Sequence, residues 1–386
     1  MQLSTQEAER LVRDGAAALQ GGRPAEARGH FEKVAEAGLA NAQIWLLLAT
    51  ACRADNDAAG EEAAVDRVLA QQPRLVRGLV MKGDCRARAG HEAAALGFYK
   101  SALGLAAGQQ VPLDLKPELD RAEAVAVEIE ARLSDKREAA LEELGLPRAG
   151  RSARFQQSLD MLAGRKRIYR QEPTGYYFPE LPPIQFFDTS EFDWVPGVEA
   201  AAPAIRAELE SLLATREGFR PYIQSDPDKP RLDANTLLDN ADWSARFLCE
   251  NGRLNEDTIA RCPATWRALQ AVPQPHMTSS PTAMFSLLRP GARIAPHTGT
   301  HNIRLVCHLP LIVPPDCHFR VGNEVRQWEE GKLLIFDDTI EHEAWNGSDR
   351  DRVVLIFDIW RPELSDQERR EVAALFAAMG LQASAA

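Results

Sequence analysis

The chain is 386 residues long, 45% apolar and 7% aromatic, with a formal net charge of −11. Such a length predicts about two or three domains with packed cores. The acidic balance argues against nucleic acid or an anionic membrane as an electrostatic partner. No apolar run is long enough to cross a bilayer, and Met1–Glu7 lacks the basic and apolar blocks of a secretory leader, so the chain reads as soluble and cytosolic. Cys52, Cys85, Cys249, Cys262, Cys307 and Cys317 show no paired spacing and are expected as reduced core residues.

The first third repeats. Gly15, Ala49 and Gly83 fall 34 residues apart, as do Leu11, Trp45 and Leu79, and Phe31, Val65 and Tyr99. Ala27 and Ala95 mark a further matched position, which Glu61 breaks. Small residues where helices cross and large ones between them, at this period, resemble tetratricopeptide repeats. Three helix pairs over about residues 5–107 suffice to stack a continuous core. Gly21-Gly22-Arg23-Pro24 and Ala89-Gly90-His91 supply inner turns, and Pro73 closes the second repeat. Glu61 and the turn Asp55-Asn56-Asp57 make the middle repeat look degenerate. The concave face of such a solenoid can recruit a peptide or protein, or serve only as a spacer.

Residues 116–165 keep helical apolar spacing without the repeat, interrupted at Leu146–Gly150. From Gln171 to Pro183 the composition turns rich in proline and aromatics, an extended lead-in to a second domain. One more helix is expected near 200–214, where Ala201, Ile205, Leu209 and Leu212 share a face, followed by a polar loop over 226–240. Short β-branched or aromatic runs then recur at Met284–Leu288, Ile303–Val313, His318–Val321, Glu324–Trp328, Lys332–Phe336 and Arg352–Ile359, separated by Pro/Gly/Asn turns. Their spacing predicts a double-sheet antiparallel barrel of the jelly-roll or cupin class, whose mouth can hold a metal.

Two imidazoles stand out in this half: His297 in Pro296-His297-Thr298-Gly299, and His342 in Glu341-His342-Glu343. As a pair they lack the carboxylate that completes a common mononuclear iron site, because Gly299 stands two after the first histidine. The two-residue strand period puts Arg304, Val306 and His308 on one face, and Arg352, Val354, Ile356, Asp358 and Trp360 on one face of the last strand. An arginine among apolar strand residues needs a partner or water, since burying an unpaired charge is costly.

The linked series Phe285–Gly291, His297-Thr298-Gly299, Asn302–Leu305, His308-Leu309, Val321–Glu324, Trp328–Lys332, Phe336–Thr339 and Glu341–Asn346 resembles the aspartyl/asparaginyl β-hydroxylase family over about residues 175–365. The resemblance implies an iron(II)- and 2-oxoglutarate-dependent oxygenase on a double-stranded β-helix, with His297 and His342 as metal ligands and no carboxylate ligand. It implies Arg352 for the distal carboxylate of 2-oxoglutarate, a task suited to a planar two-pronged donor. Ser286 would assist the same carboxylate, and His308 would lie near the oxo-acid end. Val306 departs from relatives with a second arginine there, leaving that grip to Arg304 or weaker, and Leu288 replaces a methionine.

The expected architecture is multidomain α + β: tetratricopeptide-like repeats over 1–110, a helical connector over 111–170, and a double-stranded β-helix with a C-terminal helix over 171–386. The expected reaction is hydroxylation of an unactivated C–H, foremost the β-carbon of an aspartyl or asparaginyl residue. A lipid acyl chain or small molecule, halogenation, and an adaptor with a vestigial barrel are the competing readings. His301, His276 and His318 are expected outside the metal site, His30 and His91 on the repeats, and Asp337 and Asp338 in turn or supporting hydrogen bonds. Trp345 and Trp360 read as packing residues.

Overall fold

The computed structural model describes residues 3–108, 110–215, 217–225, 236–278 and 280–384. Contacts divide it into two units, Met1–Arg165 and Lys166–Ala386.

The first unit is helical: α1 (Thr5–Gln20), α2 (Pro24–Glu36), α3 (Ala42–Ala54), α4 (Ala58–Gln71), α5 (Val76–Arg88), α6 (Glu92–Ala106), α7 (Lys116–Glu143) and α8 (Ala153–Leu162). Consecutive helices pair as the 34-residue period requires. A Cβ on Gly15 would lie 2.8 Å from the Phe31 ring, and one on Gly83 2.6 Å from Tyr99, so glycine lets the paired helices close. Starts are set by local chemistry: Ser4 and Glu7 form a capping box, and Asn41 caps α3. The middle repeat is intact where its sequence looked degenerate. Asn56 takes a left-handed turn at φ 59° and Asp57 caps α4 through the Gly60 N–H, while buried Glu61 is neutralised by Arg53 and Arg88. Helix α7 continues the stack, burying Leu119, Ala122, Ala126 and Ile129 with residues of α5 and α6.

The second unit holds strands β1 (Phe186–Phe187), β2 (Arg220–Pro221), β3 (Trp243–Glu250), β4 (Arg253–Leu254), β5 (Ala283–Leu288), β6 (Arg293–His297), β7 (Arg304–Ile312), β8 (Cys317–Val321), β9 (Glu324–Gln327), β10 (Leu334–Phe336), β11 (His342–Asn346) and β12 (Arg352–Trp360). Among the described residues they form two antiparallel sheets, one ordered β1-β10-β7-β12-β5-β3-β2 with β4 on β3, the other β6-β11-β8-β9. Helix α9 (Val195–Thr215) spans the expected helix and starts earlier, and α10 (Glu256–Arg261), α11 (Pro263–Gln270) and α12 (Asp366–Ser384) complete the unit. Of the loop expected over 226–240, residues 226–235 lie outside the described residues.

Strand alternation builds two cores. Leu305, Cys307 and Leu309 of β7 and Val353, Leu355 and Phe357 of β12 face α9, packing on Ile205, Leu209 and Leu212. Each fully buried leucine or isoleucine there contributes about 1.5–3 kcal/mol. The alternate residues face the smaller sheet, where Trp243, Leu288, Val306, Val354, Phe319, Val321 and Phe336 enclose a second core. All six cysteines are free and buried. No helix among the described residues is long and apolar enough to cross a membrane.

Candidate functional site

The two sheets bring the singled-out histidines together. His297 ends β6, His342 begins β11, and the antiparallel register sets them directly opposite each other. Their ring centroids lie 4.1 Å apart. Each ring is oriented by its own backbone: His297 Nδ1 lies 2.8 Å from the Ala295 carbonyl oxygen and His342 Nδ1 3.1 Å from that of Ile340. A proton on each Nδ1 would satisfy those carbonyls and leave both Nε2 atoms as acceptors, the state a metal ligand needs. His342 is buried, and burial, reinforced by the neighbouring His297, pushes its pKa down to about 3. His297 is open to solvent at its edge yet crowded enough that desolvation lowers its pKa too.

Across the gap, the inner face of the larger sheet presents the other singled-out residues. Arg352 lies opposite Leu288, Ser286 opposite Val354, and His308 opposite Ile356. Arg352 is 1% exposed with its guanidinium 4.7 Å from the Trp328 ring centroid, and burial pushes its pKa down to about 10. Its Nε, His308 Nδ1, Trp328 Nε1 and Asp338 Oδ1 are buried polar atoms without a hydrogen-bond partner among the described residues. Native interiors rarely tolerate such a cluster unless something else supplies the partners. Ser286 accepts a 3.1 Å bond from Trp243 Nε1, leaving its own proton free to donate. His308 sits among Phe319, Trp328 and Phe336, and burial, with Arg352 beside it, holds it well below its ordinary pKa.

Arg304 lies at the edge of this face, tied to Asp338 at 3.1 Å and Asp358 at 3.3 Å. Gly299 has a reason beyond the absence of a ligand: a Cβ there would meet Asp338 Oδ2 at 2.1 Å. The carboxylate that position 299 lacks is thus matched by one from the other loop, in the same space. Burial pushes Asp338 up to about 6 against the pull of Arg304. Its neighbour Asp337 points away, into a fully buried ion pair with Arg361 at 2.6 Å.

The remaining histidines stay outside the pair. His301 stacks edge-on against Phe376 of α12, His318 stacks on Trp345, and His276 is exposed. Trp243, Trp328 and Gln171 are site elements that the sequence reading passed over. The alternation in Trp243-Ser244-Ala245-Arg246-Phe247 was the available signal for the first. Trp328 opens the motif Trp328–Lys332, though nothing in that run points to the site, and Gln171 carried no local signal, since its neighbours come from distant strands and loops.

Fold and site together define a double-sheet barrel domain with a two-histidine mouth and a buried arginine opposite. Residues 199–362 match the family model described as aspartyl/asparaginyl beta-hydroxylase. Similar relatives include an ornithine lipid ester-linked acyl 2-hydroxylase of Rhizobium tropici, 42% identical over 184 residues, covering 47% of this chain and 61% of that protein. The human aspartyl/asparaginyl beta-hydroxylase is 40% identical over 140 residues, covering 36% of this chain and 18% of its own. Mouse aspartate beta-hydroxylase domain-containing protein 1 is 34% identical over 242 residues, covering 60% and 63%. The protein therefore spans less than two thirds of the length of each of these relatives. A solved structure of PcrH from Pseudomonas aeruginosa aligns with 33% of this chain and 94% of its own, at 20% identity and a TM-score of 0.30.

Proposed function

We propose that the barrel domain is an iron(II)- and 2-oxoglutarate-dependent dioxygenase that hydroxylates an unactivated C–H bond. The observation that carries this reading is the opposed pair His297 and His342 facing buried polar atoms that have no partner among the described residues. Two neutral imidazoles suit a first-row divalent metal, and the partnerless Arg352 Nε and Trp328 Nε1 donors suit an anionic, oxygen-rich ligand. Iron with 2-oxoglutarate supplies O₂ activation coupled to release of succinate and CO₂.

The residues have separable tasks. His297 and His342 hold the metal, their rings fixed by the Ala295 and Ile340 carbonyls. Arg352 and the Ser286 hydroxyl bind the distal carboxylate of the cosubstrate, in a pocket dried by Phe319, Trp328 and Phe336. His308, kept neutral, lies toward the oxo-acid end. Arg304 is held by Asp338 and Asp358, so its part is to keep the Asp338 carboxylate beside Gly299. Recruitment of a peptide or protein by the helical unit belongs to the same proposal and rests on its paired-helix architecture.

The first substrate reading is the β-carbon of an aspartyl or asparaginyl residue, supported by the family description. A second, a C–H bond on a lipid acyl group, is favoured by the name of the Rhizobium tropici relative. Purified protein given iron(II), 2-oxoglutarate and O₂ should form succinate, and His342→Ala should not. Tight iron binding without succinate would overturn the proposal. One added oxygen, sought by mass in peptides and in lipid extracts, separates the substrates.

A further inference from the structure

The two imidazoles are paired on strands, but the loops beside them, 298–303 after His297 and 337–341 before His342, are held by a third segment. That segment, 171–178, is the proline- and aromatic-rich lead-in to the barrel. The Glu172 N–H donates to the Thr339 carbonyl at 2.8 Å, in the second loop. The Thr174 N–H donates to Gly299 at 3.0 Å, and those of Gly175 and Tyr176 to Thr300 at 3.0 and 2.9 Å, in the first. A Cβ on Gly175 would come 3.1 Å from the Thr300 carbonyl oxygen, so the strap lies tight against the loop.

One side chain joins both loops. Gln171 Nε2 donates to Asp337 at 2.6 Å, and Gln171 Oε1 accepts from Asn302 Nδ2 at 3.0 Å. Asn302 and Asp337 are both fully buried. Asp337 leads directly to a ligand ring: the Ile340 N–H donates to the Asp337 carbonyl, and the Ile340 carbonyl is the group that orients His342 Nδ1. Asn302 in turn fixes the loop that leaves His297, bonding Phe178 through both its amide groups.

We propose that Gln171 is a positioning residue for the His297–His342 pair, its amide locking the two ligand-bearing loops together and so setting metal affinity. This rests on the iron reading above. Groups that orient metal ligands without touching the metal typically change affinity by about 10–100-fold when removed.

The test is anaerobic equilibrium dialysis of the full protein against iron(II). Two variants are compared with wild type: Gln171→Met, which keeps length and loses both bonds, and Gln171→Glu, which sets a carboxylate against Asp337. Wild-type protein that takes up no iron(II) sinks the metal reading before the variants are compared. Given uptake, Kd should rise about tenfold in Gln171→Met and further in Gln171→Glu; a rise below threefold in Gln171→Met overturns the inference. Amide hydrogen exchange on wild type decides the matter if the variants do not fold, because coupling between sites is reciprocal. Iron(II) should slow exchange at Glu172, Thr174, Gly175 and Tyr176. Unchanged exchange there, with slowing at Gly299–Asn302, would overturn it.

Discussion

Arg352→Met should make the metal-free protein more stable while abolishing succinate formation. The wild-type guanidinium is 1% exposed, lies over the Trp328 ring, and has no carboxylate bonded to it among the described residues. Burial lowers its pKa to about 10, a penalty on the charged form of about 3 kcal/mol. The folded-state pKa lies below the unfolded one. The penalty is therefore complete at every pH below about 10 and fades as pH rises from there toward the higher unfolded value. The contact with Trp328 returns about 1 kcal/mol, leaving about 2 kcal/mol for methionine to recover. For a domain of this size that raises Tm by about 4–8 °C. Calorimetry of chelator-treated protein at neutral pH measures it, beside a succinate assay on the iron-loaded sample. A variant that melts at or below wild type would refute the reasoning, because Arg352 would then be a structural cation and not one held in reserve for an anionic ligand.

Three further outcomes follow from named contacts. Gly299→Ala should cost about 1–3 kcal/mol through the clash with Asp338, and Asp338→Ala in the same protein should restore most of it; additive effects in urea denaturation would exclude the clash. Arg361→Met leaves Asp337 buried without its cation and should cost about 3–5 kcal/mol, read as a lower urea midpoint. Glu343 is held below the ordinary carboxylate range: burial works against this, but bonds from Arg293 and Arg320 together outweigh it. Its contribution is complete above the unfolded pKa of 4.5 and lost as pH falls through the lower folded value. The urea-midpoint gap between wild type and Glu343→Gln should therefore be full at pH 7 and close in acid; a gap independent of pH would show that the charge is not what matters.

Periodicity carried much of the architecture. A 34-residue spacing of small and large residues specifies paired helices, because only Gly15 and Gly83 let Phe31 and Tyr99 approach so closely. Two-residue alternation likewise puts Arg352, Val354 and Ile356 on one face and Val353, Leu355 and Phe357 on the other, whatever the partner strands. The strands β6 and β11 escaped that reading because they are short and polar, bounded by prolines, loops and the histidines themselves. Glu61 misled for a related reason: its partners Arg53 and Arg88 come from neighbouring helices, and no local rule announces them.

Side-chain type and backbone period, both legible in the amino-acid sequence alone, were enough to say which residues could do chemistry and which strand face each would take. Only the tertiary structure decided which of them meet. The register that sets His342 opposite His297, the Asp338 carboxylate in the space Gly299 leaves free, and the Gln171 amide between Asp337 and Asn302 all join residues far apart in sequence. Such contacts depend on sheet register and loop closure, which are properties of the packed whole.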